Sequence, residues 1–253
     1  QLGAGKNRPD LVTGLWTVQS ENPLKDADRL LASFLPKAFR RPVSDDVRKE
    51  YVARVEERLK AGDCFETAMR WAYRAALCSP DFLYHVEPEN KLDDYALASR
   101  LSYFFWNSMP DAQLTDLASK GKLKSKEALR VEVDRLLKDS RSQRFIEDFL
   151  GQWLKLRQIA ANDPDRGLYP EANPYLQDSM LAETRAYFRE LIEKNLDASH
   201  IVKSDFVMIN EKLAKHYGIS SVSGAEIRKV PLPKDCPRGG FLTQAAILKV
   251  TAN

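Results

Sequence analysis

Cysteine and histidine are scarce in this chain, three of each in 253 residues. Three cysteines do not make a disulfide framework. Cys64 and Cys78 fall near opposite ends of one expected helix, and at ~1.5 Å per residue their spacing sets them ~21 Å apart. A disulfide requires Cα atoms within about 7 Å. Cys236 could pair with either if the fold brings it there, but free buried thiols are the expected state. Covalent haem attachment requires C-x-x-C-H, and none of the three cysteines has that context. His85, His200 and His216 lie far apart, with no H-x-x-x-H pair, so the spacing of a metal site is missing too. No cofactor is expected to bind this chain itself.

An excess of charge is also missing. Lys and Arg total 39 against 36 Asp and Glu, a net charge of +3. The two signs are interleaved, as in residues 48–60 and 122–144, which reads as solvated helix faces. A nucleic-acid surface needs a one-sided basic patch, so no nucleic-acid partner is expected. No apolar run approaches the roughly 18 residues of a membrane span. No G-x-S-x-G, phosphate-binding loop or dinucleotide-binding glycine pattern is present. The chain has no internal repeat, no low-complexity tract and no signal peptide at its start; the opening Gln-Leu-Gly-Ala-Gly-Lys reads as the interior of a larger protein.

What is there is helical patterning over a globular composition, 43% hydrophobic and 30% charged. Residues 1–24 lack a helical period, and Leu11-Val12 and Leu15–Val18 read as strand-like pieces of an extension from a preceding module. Ala27, Leu30, Leu31, Phe34 and Leu35 then share a face. Pro36 is expected to end or kink that helix. Ser44 caps a second helix striped by Val47, Tyr51, Val55 and Leu59, and Gly62 suits its stop. Asp63 with Glu66 resembles a capping box for a third helix through Phe65, Ala68, Met69, Ala72 and Ala76. Further helices are expected at about 93–107, 111–119, 125–138 (behind a Ser125 cap), 141–158, 175–195 and 210–217, the last capped by Asn210 and stopped at Gly218. The 141–158 segment carries Phe145, Ile146, Phe149, Leu150, Trp153 and Leu154, apolar on more than half its surface, which predicts a central helix. Trp71, Trp106 and Trp153 are expected in cores. Residues 160–174 form a loop with three prolines, long enough to be functional or an interface element.

Several strings carry a resemblance. LLASFLPKAFRRPV at 30–43 and LCSPDFLYH at 77–85 resemble the signatures of one module. LDDYALASRLSYFFW at 92–106, RSQRFIEDFLGQWLKL at 141–156 and FVMINEKLAKHYGI at 206–219 resemble a second. RGGFLTQAAILKVTAN at 238–253 resembles the opening of a third. In this order they are similar to the helical domains of unknown function of large multi-domain proteins found mainly in planctomycetes, where a c-type cytochrome module precedes several such domains. The resemblance implies an extracytoplasmic location, other modules of the same protein as partners, a redox protein or polysaccharide as a further partner, and any c-type haem in another module.

The expected fold is mainly α, a three-helix unit (25–88) packed on a larger orthogonal helical bundle (89–219). Irregular terminal extensions complete it: 1–24 from a preceding module and 220–253 as the start of a following one. Three residues are candidates for ligand binding. His216 ends a short helix, where its cation would favour the negative terminus; that structural role outweighs ligation. Glu183 lies near the inner face of the long helix and, if buried, needs a partner such as Arg100 or Arg185; an ion pair outweighs a catalytic acid. Arg238 opens an Arg-Gly-Gly run before a helix, where backbone N–H groups could face an anion. Arg40-Arg41 is read as capping or interface. No catalytic motif is complete. The leading function is a non-catalytic helical scaffold or interaction module of a cytochrome-c-associated protein. The alternative is part of a haem-dependent oxidoreductase acting on carbohydrate, with its site at an inter-module cleft. A deep cleft lined by His216, Arg238 and Glu183 would favour the enzyme, and a flat apolar patch the scaffold.

Overall fold

A computed structural model describes residues 8–9, 16–85, 87, 92–161, 164–165, 167–220, 222–233 and 236–252. The fold is mainly α. The chain divides into two compact units, residues 1–133 and 134–253. The expected strand pieces Leu11, Val12 and Leu15 lie outside the described residues. Trp16–Thr17 (β2) pairs antiparallel with Arg8–Pro9 (β1).

The first unit begins with three helices, Pro23–Phe39 (α1), Asp45–Lys60 (α2) and Phe65–Leu77 (α3). Their stripes meet in one core: Ala27, Leu31 and Leu35 from α1, Tyr51 and Val55 from α2, and Ala68, Met69, Ala72 and Ala76 from α3. α1 runs through Pro36 to Phe39, so the proline costs one backbone bond without ending the helix. Arg40 stops it in the left-handed conformation, φ 59°. Its guanidinium donates to the carbonyls of Asp81, Phe82 and Tyr84 at 2.9, 3.0 and 3.0 Å, satisfying the end of the short helix Pro80–Leu83 (α4). The Ser44 hydroxyl accepts from Val47 N–H at the start of α2. The expected capping box at Asp63 does not form. Cys64 is the N-cap without a side-chain bond to the helix backbone; Asp63 pairs with Arg58, and Glu66 accepts from the Val18 N–H.

Asp94–Trp106 (α5), Ala112–Ser119 (α6) and Lys126–Lys138 (α7) follow. Asp93 and Asp111 cap α5 and α6 by accepting from the N–H groups of Ala96 and Leu114. Asp94 is buried and accepts the Leu123 N–H at 2.9 Å. Trp106 has no exposed surface.

The second unit is built from Gln143–Trp153 (α8), Pro174–Glu193 (α9), Phe206–Ile209 (β3), Glu211–Tyr217 (α10), Arg228–Pro231 (β4) and Ala245–Thr251 (α11). β3 and β4 pair antiparallel, Phe206 opposite Pro231 and Ile209 opposite Arg228. The core gathers Leu150 from α8, Leu176, Met180, Tyr187 and Leu191 from α9, Ile209, Leu213, Phe241 and Ala246. Phe241 meets the Tyr187 ring edge-on at 5.1 Å. The segment expected to open a following module therefore contributes a strand, a core aromatic and a helix to this unit. Gly239 and Gly240 lie so close to the chain at 202–204 that a Cβ would fall 2.4 Å from the Ser204 carbonyl oxygen and 2.5 Å from that of Val202. That close approach requires the two glycines; the Gly239 N–H is taken by the Thr243 hydroxyl.

Two expected core tryptophans are at the surface. Trp71 is 47% exposed, with the guanidinium of Arg58 over its ring at 4.9 Å. Trp153 is 46% exposed and Phe149 38%, so α8 turns one side to the core and an aromatic side outward. Helical periodicity does not distinguish a stripe that is covered from one that is not. The cysteines are free, as expected, but not buried: Cys64 and Cys78 are exposed and Cys236 is intermediate. Among the described residues no helix is long and apolar enough to cross a membrane.

Candidate functional site

The middle of α9, the end of α10 and the segment before α11 bring the candidate residues together. The α10 cap, Asn210, accepts from the Leu213 N–H and donates to the Ser179 hydroxyl of α9, which fixes α10 across α9. α10 then ends His216-Tyr217-Gly218, with Gly218 left-handed at φ 69°. Tyr217 is thereby turned toward α9, where Glu183 lies on the buried face with no exposed surface. The Tyr217 hydroxyl donates to Glu183 Oε2 at 2.5 Å and accepts the Ala245 N–H at 2.8 Å. Arg238 covers the Tyr217 ring at 3.8 Å and donates to the Thr243 carbonyl at 2.9 Å.

The partner of Glu183 is thus Tyr217, with Arg238 beyond it. Neither residue expected for that role fills it: Arg100 bonds Glu87 at 2.6 Å, and Arg185 is 4.0 Å from Glu147. Burial raises the Glu183 carboxyl to about pH 8, against the smaller opposing effects of the Tyr217 bond and the Arg238 charge. Among the described residues its Oε1 is buried without a hydrogen-bond partner. Burial and the adjoining carboxyl push the Tyr217 phenol upward as well. At neutral pH the pair is therefore largely uncharged, and a buried carboxylate charge is avoided.

Beside this cluster lies a cleft of about 730 Å³. His216 and Arg238 line it, together with Tyr169, Glu171, Asn173 and Gln177 on the polar side and Leu176, Met180, Ala245 and Leu248 on the apolar side. Glu183 does not line it. Burial, and then the Arg238 charge, lower the His216 imidazole below its ordinary value; Glu171 stands 4.0 Å from its Nδ1. His85 and His200 are elsewhere. His85 sits edge-on to Tyr103 at 4.8 Å, and His200 Nδ1 lies 3.0 Å from the Asp197 carbonyl. Among the described residues no group of three His, Cys, Asp or Glu is placed to hold a metal ion.

Sequence reading missed Tyr217 as the link. Its only signal was position, the last residue of a capped helix before a stopping glycine. Tyr169 and Glu171 at the cleft gave none, because loop residues carry no periodicity, and Gln177 in the first turn of α9 is a polar residue outside its apolar stripe.

A mainly α-helical protein with a buried carboxyl–phenol pair under an arginine is the class these features define. The chain belongs to the family described as PSD4, Protein of unknown function (DUF1592), which matches residues 92–219. Residues 26–87 match a second family, PSD5, Protein of unknown function (DUF1595). No curated protein and no solved structure matches the chain.

Proposed function

We propose that this chain is a non-catalytic helical interaction module of a larger, extracytoplasmic, cytochrome-c-associated protein. The observation that carries the reading is the outward side of α8. Phe145 and Phe149 stack at 5.4 Å, Phe149 and Trp153 lie 5.4 Å apart, and Trp153 meets Phe241 edge-on at 5.7 Å. Nearly half of Trp153 faces solvent. An aromatic ladder that leaves Phe149 and Trp153 part-exposed has the composition of an interface anchor. Sealed Glu183 supports the same reading, since a carboxyl without accessible surface does not meet a substrate.

In this reading, neighbouring modules of the same protein cover the ladder. Hydrogen exchange tests it. In the full-length protein, residues 143–157 should exchange more slowly than in the 253-residue chain alone, and the double substitution Phe149→Ser, Trp153→Ser should remove the difference. Equal exchange in the two proteins would sink the proposal.

The cleft favours a second reading, a part of a haem-dependent oxidoreductase acting on carbohydrate. Its volume is that of a small-molecule site, and Tyr169, Asn173 and Gln177 offer the stacking and hydrogen bonds a sugar uses. Full-length protein carrying haem would then change its visible spectrum on addition of glucose or an oligosaccharide; an unchanged spectrum removes this reading.

A further inference from the structure

We propose that the cleft beside α9, α10 and α11 binds a small monocarboxylic acid with an apolar body, anchored by Arg238. The site does not depend on the contact role of α8.

Arg238 is half-buried, held flat on Tyr217 and tied by one arm to the Thr243 carbonyl. Both contacts fix the guanidinium without neutralising it. Among the described residues no carboxylate lies within ion-pair distance of it. Glu183, which feels the Arg238 charge, bonds the far side of Tyr217 and is largely protonated at neutral pH. A partly desolvated cation without a counter-ion is unfavourable, and an arriving anion relieves that cost. A guanidinium presents paired N–H groups that match a carboxylate.

Charge around the cleft decides the class of anion. Arg238 and Lys249 line the cleft as cations and Glu171 as a carboxylate, while His216 is held toward its neutral form, so the lining carries about one net positive charge. A single negative charge is tolerated there better than the double charge of phosphate. The apolar side, Leu176, Met180, Ala245 and Leu248, accounts for the body of the ligand. About 730 Å³ accommodates a compact organic acid.

The test is a two-dimensional amide NMR titration of the 253-residue chain at fixed ionic strength, with hexanoate, hexan-1-ol and inorganic phosphate as separate probes. Hexanoate should shift amides in 171–177, 216–217 and 245–249 saturably, and bind at least about tenfold tighter than hexan-1-ol. Arg238→Gln should weaken hexanoate about tenfold or more, and Arg238→Lys should recover part of that loss. Leu248→Glu places a charge on a half-exposed position and should weaken hexanoate with Arg238 intact, which keeps the test decisive if Arg238→Gln does not fold. Hexan-1-ol binding as tightly as hexanoate would overturn the anion anchor. Phosphate binding more tightly than hexanoate would overturn the carboxylate assignment. Unchanged hexanoate binding in Arg238→Gln, or in Leu248→Glu, would overturn the site.

Discussion

Glu183 makes stability depend on pH in a direction opposite to the usual carboxylate. An ordinary glutamate ionises near pH 4.5, while in the fold Glu183 titrates at about 8. The folded state therefore holds a proton that the unfolded chain releases across that window, and linkage makes unfolding easier as pH rises through it. The contribution is fully present below about 4.5 and lost by about 8, on the order of 3–5 kcal/mol. His216 acts the other way, its lowered value favouring the neutral form and costing stability as pH falls, so the net curve alone is ambiguous. The comparison with Glu183→Gln isolates the effect. Chemical denaturation at pH 5 and pH 8 should show the variant gaining on the wild type by a few kcal/mol; a constant difference would mean Glu183 is charged in the fold. The two tryptophans separate burial from hydrophobic pattern. Trp106, with no exposed surface, should cost about 3–5 kcal/mol on truncation to Ala. Trp153, 46% exposed, should cost only about 1–2 kcal/mol, since much of its surface never leaves water. Denaturant melts giving equal losses would mean that the α8 ladder is covered.

Helices formed where local rules agree. The Ser44, Ser125 and Asn210 caps accept from the N–H groups of Val47, Ala128 and Leu213, and the glycine stop at Gly218 is left-handed. Caps, stops and an i, i+3, i+4 stripe are short-range signals, so these elements are legible in the residues themselves. The β3–β4 pair is not. Its strands are four residues each, separated by a helix, and their pairing is decided by contacts far apart in sequence. The same limit governs the site. His216, Arg238 and Glu183 were recognisable as unusual positions, but the phenol that joins them is visible only once α10 lies across α9. Asn210 is the element that sets this crossing. It closes the start of α10 and bonds Ser179 at 3.0 Å and the Ala225 carbonyl at 3.2 Å while buried. Asn210→Ala should therefore cost about 2–3 kcal/mol, more than an exposed cap, because buried partners are left unsatisfied. Asn210→Asp keeps the cap acceptor and loses the donor, and should fall between. Thermal melts in which Asn210→Ala loses under about 0.5 kcal/mol would show that α10 is held by its apolar face alone.

The family match and the compact units do not share borders. The matched segment 92–219 runs across the division at 133/134 and stops before β4, Phe241 and α11. Residues after 219 are not an appendage to the second unit. Phe241 packs on Tyr187, Phe188 and Trp153, β4 supplies the only partner strand of β3 among the described residues, and the Ala245 N–H bonds the phenol that faces Glu183. Removing them would open the core on one side, expose the β3 edge and leave the Tyr217 oxygen without its donor. Each loss is of a kind that costs several kcal/mol, against a total stability that is itself only about 5–15 kcal/mol for a domain. The core of α1, α2 and α3 is a separate cluster that, among the described residues, includes none after 219. A chain ending at residue 219 should consequently keep native methyl NMR signals from Leu31, Val55 and Met69 while those of Ile209 and Leu213 collapse toward random-coil positions. Native signals from Ile209 and Leu213 in that truncated chain would mean that the second unit is complete within the matched segment. The residues beyond 219 would then be an attachment surface and not part of its core.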